Sequence, residues 1–232
     1  MADNDFYKGE TPKNYEQKCP CVLVLDTSGS MNGEPINELN YGLRKFKKEV
    51  ESDTITANRL EIAVVTFNSS VKVNSTFKLV NDYTTPVLDA DGSTKLVDGV
   101  NRAIQVLETR KQWYKDTGQK YYRPYIILIT DGYPDNDQNI DELSAVIKQG
   151  VDNKQFNFWP FGVLDADMDI LKKISHDSFS PVKLKGVEFG KFFKWLSNSM
   201  SSVSKSREGD KLSLLPKSED ENAFDQFQIS ID

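Results

Sequence analysis

Three oxygen-bearing side chains leave one short stretch of chain at alternate positions: Asp26, Ser28 and Ser30, in Asp26-Thr27-Ser28-Gly29-Ser30. The stretch follows the apolar run Cys21-Val22-Leu23-Val24-Leu25, which reads as a buried strand ending at Asp26. Two more oxygens of the same kind lie downstream. Thr94 sits in Asp91-Gly92-Ser93-Thr94, and Asp131 follows the second apolar run Ile126-Ile127-Leu128-Ile129-Thr130. These residue types suit a hard divalent cation. Magnesium takes six oxygens in near-octahedral geometry at about 2.0–2.1 Å and keeps several of its waters. Hydroxyls from Ser28, Ser30 and Thr94 add no formal charge, and Asp26 and Asp131 supply negative charge through bound waters. A cation held this way accepts one further anionic oxygen from outside, whereas four or five direct carboxylates would saturate it. Manganese suits the same oxygens, and calcium is a third candidate. Gly29 and Gly132 are expected to allow the chain to turn after each aspartate region.

Taken singly, Ser28, Ser30 and Thr94 fit turn or helix-cap positions, and the aspartates fit polar strand ends. Taken together they need elements that bring three distant segments to one place. Strands are expected at 21–25, 60–67, 71–77, 124–130, 156–163 and 182–184, the second and third joined as a hairpin by Asn68-Ser69-Ser70. A helix opens at Glu34-Pro35, with Ile36, Leu39, Leu43, Phe46 and Val50 at helical spacing. Further helices are expected at 96–113, 140–151, 168–174 and 188–203. The last carries Phe189, Phe192, Phe193, Leu196, Met200 and Val203 on one stripe, read as core. This alternation predicts an α/β fold: a doubly wound, mostly parallel six-stranded sheet with one antiparallel edge strand and helices on both faces. Both aspartates then fall at the carboxyl ends of parallel strands, where such sheets bind their ligands.

The 232 residues divide by composition into a flexible leader (1–17), one domain (18–206) and an acidic tail (207–232). The net charge of −6 and pI of about 5.0 speak against a nucleic-acid partner. The cluster Arg44-Lys45-Phe46-Lys47-Lys48 reads as a solvated helix face. Cys19 and Cys21 are the two cysteines, too few for a structural zinc site. They are expected as reduced residues at a strand entry, in keeping with a reducing cytosol. The first 18 residues lack the apolar stretch of a secretory signal, and no run approaches the ~20 apolar residues of a membrane span. A cytoplasmic chain without membrane insertion is expected. In the tail, 224–231 alternates like a strand, which allows addition to a sheet edge, docking on a partner, or a tail without fixed structure.

Other constellations are weaker. Asp165-x-Asp167-x-Asp169 begins like a calcium loop, but Ile170 and His176 stand where Gly and Glu are needed, so helix capping is expected. Asp135-Asn136-Asp137 reads as a turn in preference to a rim of the cation site. His176 is the only histidine, and neither a Gly-x-Ser-x-Gly elbow nor a phosphate-binding Gly-x-x-x-x-Gly-Lys loop occurs.

The Asp26-x-Ser28-x-Ser30, Thr94 and Asp131 set resembles the metal-ion-dependent adhesion site of von Willebrand factor A domains. The resemblance narrows with Val24 to Met31 running into Gly33-Glu34-Pro35-Ile36, and Tyr121-Tyr122-Arg123-Pro124 leading to Leu128-Ile129-Thr130-Asp131-Gly132. Asp165-Ala166-Asp167-Met168 and Phe192-Phe193-Lys194-Trp195-Leu196-Ser197 add to it. Over about 18–206 these runs resemble the TerY-like proteins of bacterial tellurium-resistance and stress-response clusters. The resemblance implies a non-enzymatic, cytoplasmic adaptor in which magnesium at Asp26, Ser28, Ser30, Thr94 and Asp131 binds a Glu or Asp of a partner protein. Kinase-like or phosphatase-like proteins are the implied partners. Some relatives carry a cysteine-rich extension that this chain lacks. Ser93 stands where a second glycine is common, and is an alternative hydroxyl ligand. The competing reading is a metal-dependent phosphohydrolase with Asp26 as nucleophile, although Ser28 replaces the second acidic residue such chemistry uses.

Overall fold

In a computed structural model of the chain, residues 6–131, 133–184 and 189–206 are described. Six strands form: β1 (Cys19–Asp26), β2 (Leu60–Phe67), β3 (Val71–Leu79), β4 (Tyr125–Thr130), β5 (Asn157–Gly162) and β6 (Val182–Lys183). They lie in one sheet in the order β3-β2-β1-β4-β5-β6. All neighbours pair in parallel except β2 and β3, the hairpin that gives the antiparallel edge. The expected fold class is the observed one. The α-helices are α1 (Glu34–Glu51), α2 (Thr54–Arg59), α3 (Leu96–Thr117), α4 (Ile140–Asp152), α5 (Met168–Ile174) and α6 (Phe189–Lys205).

The apolar runs that made β1, β2 and β4 legible are continuous because both faces of the sheet are covered. Leu23, Leu25, Ile62, Val64, Ile127 and Ile129 face α1 and α6. Val22, Val24, Ala63, Val65, Ile126 and Leu128 face α3, α4 and α5. The aromatic stripe of α6 is core, as expected: Phe192 and Trp195 pack on Phe161 at 4.7 and 5.6 Å between ring centroids. Pro20 sits inside central β1 without breaking it. The ladder to β4 begins only at Cys21, beyond the residue that has no N–H to give. Cys19 and Cys21 are free and fully buried. Burial pushes the Cys19 thiol up to about 12 and raises that of Cys21, so neither is a ready nucleophile.

Two elements differ from expectation. The short helix α2 is held by Asp53, whose carboxylate accepts from Thr56 N at 2.9 Å. The described part of the leader, 6–17, is docked. Tyr7 is buried and its hydroxyl accepts from Phe77 N at 3.1 Å, and Trp113 Nε1 donates to the Glu10 carbonyl at 3.1 Å. The acidic tail, Gly132 and Glu188 lie outside the described residues. Among the described residues no helix is long and apolar enough to cross a membrane.

One close approach fixes where α3 starts. A Cβ on Gly99 would lie 2.9 Å from Phe67 Cβ and 2.7 Å from Phe67 Cδ1. Phe67 ends β2 and is fully buried, so it cannot yield. Gly99→Ala is expected to lower unfolding free energy by about 1–3 kcal/mol through overpacking, measured by urea denaturation.

Candidate metal centre

β1 and β4 are the point where strand order reverses, and loops leave their ends in opposite directions. Leu25 pairs with Ile129, so Asp26 stands level with Thr130, and Asp131 follows. Thr27 ties the end of β1 to the end of β2: its N–H and hydroxyl both donate to the Phe67 carbonyl, at 2.8 and 3.1 Å. A short 3-10 turn at Gly29–Met31 then buries Met31 and leaves Ser30 facing out.

Asp26 is fully buried. Its Oδ1 accepts from Ser28 N at 2.8 Å and its Oδ2 from the Thr130 hydroxyl at 2.6 Å. Ser28 Oγ lies 3.1 Å from Ser30 Oγ, and Ser30 Oγ donates to Asp131 Oδ1 at 2.9 Å. Ser28, Ser30 and Asp131 are therefore linked in a row through their side-chain oxygens, and Asp26 joins the row through the Ser28 N–H. Thr94 is brought to the same place by its loop. Gly29 N donates to the Gly92 carbonyl and Asp91 N to the Thr27 carbonyl, both at 2.9 Å. Asp135 then clasps Thr94: its carboxylate accepts from Thr94 N at 3.0 Å, and its own N–H donates to the Thr94 carbonyl at 3.0 Å. Ser93 is turned to Asp135, donating at 2.7 Å from an exposed position, while Thr94 is buried. Asp135 was expected as an ordinary turn residue, and it supports the rim instead.

The conformational demand on the loops falls at Gly92 and not at Gly29. Gly92 has φ 77°, and a Cβ there would meet Ser69 Oγ at 2.2 Å, whereas Gly29 is outside the left-handed region.

Electrostatics favour a cation. Burial pushes Asp26 up to about 6, against the lowering effect of hydrogen bonds from Ser28 and Thr130, and the charge of Asp131 adds to the rise. Asp131 is also raised, by burial first. Among the described residues, no three His, Cys, Asp or Glu side chains gather at one point. The donor set is two carboxylates and hydroxyls, which fits a hard cation that keeps waters and does not fit a thiolate or imidazole site.

The remaining constellations do not assemble chemistry. Asp167 caps α5, accepting from Asp169 N and Ile170 N at 3.0 Å. His176 lies between Asp152 (Nε2, 3.0 Å) and Ser178 (Nδ1, 2.7 Å). Ser178 N also donates to the same Nδ1, so that nitrogen is an acceptor locked in a surface turn.

Strand order, antiparallel edge and a crevice at the reversal point define a doubly wound α/β domain. The family model for the von Willebrand factor type A domain matches residues 21–188, and the chain belongs to that family. A von Willebrand factor A domain-containing protein of Dictyostelium discoideum is 25% identical over 171 residues, covering 71% of this chain. The chain spans only 18% of that protein's length. The vWF domain of the type V pili tip protein Mfa5 from Porphyromonas gingivalis aligns with a TM-score of 0.59 at 11% identity, covering 85% of this chain and 99% of that one. Proximal thread matrix protein 1 from the mussel byssus aligns with a TM-score of 0.52 at 19% identity, covering 83% and 46%. At these identities the structural likeness shows the fold alone. Domains of this family are typically interaction modules without enzymatic activity.

The raised Asp26 has a consequence with a definite sign. Its folded value, about 6, lies above the ordinary 3.8. The folded state therefore binds the extra proton, and stability present below about pH 4 is lost as pH rises through 6. Two pK units correspond to about 3 kcal/mol. Asp26→Asn keeps the bond from Ser28 N, and the Thr130 hydroxyl can turn to accept. In chelator, the variant is expected to be more stable than wild type at pH 7.5 and to match it near pH 4, read by urea denaturation across pH.

Proposed function

We propose that the chain is a divalent-cation-dependent protein-interaction module, a cytoplasmic adaptor with Asp26, Ser28, Ser30, Thr94 and Asp131 as its metal ligands. Magnesium is the proposed ion, with manganese or calcium as substitutes. The bound ion would supply positive charge to a Glu or Asp of a partner protein. The observation that carries the reading is the row Asp26, Ser28, Ser30, Asp131, in which two buried carboxylates bracket two hydroxyls at the strand reversal point. Ser30 is the exposed member of the row, which gives a partner access from solvent. The residue runs shared with TerY-like proteins support a place in a bacterial tellurium-resistance or stress-response system, with kinase-like or phosphatase-like proteins as partners.

The phosphohydrolase reading has less support. Asp26 is fully buried with both carboxylate oxygens accepting hydrogen bonds, a poorer setting for direct attack on a bulky phosphate ester than for holding charge near a small ion.

Magnesium at about 100 times its Kd is expected to raise stability by about 2.7 kcal/mol, and Asp131→Ala to abolish the rise. Asp135→Ala, which removes the carboxylate that holds the Thr94 backbone and leaves the side chains of all five candidate ligands in place, is expected to weaken magnesium binding by about 10–100-fold by freeing the Thr94 loop. Urea denaturation with and without magnesium reads the first, and isothermal titration calorimetry the second. Pull-down from a native bacterial lysate with magnesium or chelator tests the adaptor role: a partner retained equally by wild type in chelator and by Asp131→Ala would overturn it.

A further inference from the structure

The described residues enclose a cavity of about 310 Å3 well away from the cation crevice. Its walls come from β3 and the start of β2, its floor from α3, and its roof from the docked segment that begins at Phe6. Glu61 belongs to the first residues of β2, and Phe67, tied to Thr27, to the last. The two sites therefore lie roughly 20 Å apart along one strand.

The cavity contains a buried guanidinium with one fixed and one removable partner. Arg110 is 2% exposed, and its Nε and Nη2 donate to the two oxygens of Glu61 at 2.8 and 2.7 Å. Glu61 is equally buried, and the Tyr114 hydroxyl donates to it. The third nitrogen, Nη1, donates to Glu10 at 2.9 Å. Glu10 differs in kind: its side chain is 40% exposed and belongs to the roof. Beside this pair, Phe77 and Trp113 supply apolar surface, with Arg110 stacked 3.8 Å from the Trp113 ring centroid. Lys13 and Lys78 stand at the rim. Lys13 pairs with Asp82 across the mouth at 2.7 Å between largely solvated side chains, a contact worth little in water.

We propose that this cavity binds a small organic carboxylate with an aromatic or aliphatic body. The ligand's carboxylate takes the place of Glu10 on Arg110 Nη1, and its body lies against Phe77 and Trp113. A guanidinium already held by Glu61 presents a fixed, planar donor edge, which suits a carboxylate better than a flexible ammonium would. Lys18 and Lys78 in the lining, with Lys13 compensated by Asp82, add positive charge beside Arg110. Glu10 acts as a tethered competitor, so the roof must yield its carboxylate when ligand enters.

The test uses the full chain and isothermal titration calorimetry, with indole-3-acetate as the anionic probe and indole-3-acetamide as its neutral counterpart. Wild type is expected to bind the carboxylate saturably in the millimolar range and the amide at least about tenfold more weakly. Glu10→Gln removes the competing charge at constant length and is expected to tighten carboxylate binding by about tenfold. Thr76→Trp, which fills the cavity from β3, is expected to abolish binding while the thermal midpoint stays near that of wild type. Should that variant fail to fold, Glu10→Gln alone decides. Equal binding of acid and amide, no binding to wild type, or binding seen in Glu10→Gln only would each overturn the proposal.

Discussion

A fully buried carboxylate sits where the strand order reverses, and the surrounding structure is organised to hold it. Asp26 ends the central strand, fully buried, with one backbone N–H and one hydroxyl as its bonded donors. Desolvation on this scale disfavours the charge, and its effect shows in the raised value near 6. Neighbouring Asp131 makes matters worse by adding like charge. A fold with freedom to choose would place an amide here. Two buried acids beside serine hydroxyls form the proposed receptor for positive charge, and perturbed acids of this type are common where function is served.

Positioning that receptor explains features that lie outside it. The reversal of strand order between β1 and β4 opens the crevice. Thr27 clamps β1 to the last carbonyl of β2, so the turn after Asp26 cannot drift. The Thr94 loop is held from two sides, by backbone bonds from the β1 turn and by Asp135 from the loop after β4. Gly99 then lets α3 begin directly behind that loop, against Phe67. Each device acts on backbone and not on the side-chain oxygens of the candidate ligands.

The sheet was legible in the sequence because its central strands are buried on both faces, and an unbroken apolar run such as Ile126 to Ile129 needs no homologue to be recognised. The candidate ligands were legible because three of them share one turn and the others end a strand or precede a helix. What escaped was everything fixed by contact between distant positions. Asp135 looks like any turn aspartate until its bond to Thr94, 41 positions earlier, is seen. Thr130 looks like a strand residue until it faces Asp26. Helix α2, Thr-Ile-Thr-Ala-Asn-Arg, has no apolar periodicity and depends on its Asp53 cap. The docking of 6–17 rests largely on Tyr7 and on Glu10, in a segment whose polar composition hides both.

The two ends of the sheet solve buried charge in different ways. At the carboxyl ends of the strands, Asp26 and Asp131 share one crevice, and burial raises both. At the amino end, Glu61 has its partner built in: Arg110, stacked on Trp113 and bonded through two nitrogens. Such a buried pair rarely adds net stability over an apolar replacement of equal volume, because desolvation consumes the Coulombic gain. Its presence in a cavity wall, with a second carboxylate delivered by a separate and partly exposed segment, is therefore better explained by recognition than by stability. β2 runs between these two solutions, with Glu61 near its first residue and the Phe67 carbonyl that anchors Thr27 at its last. β2, paired on both sides by β1 and β3, spans the distance between the two sites. In that arrangement the proposed cation site and the proposed carboxylate pocket lie at opposite ends of one strand.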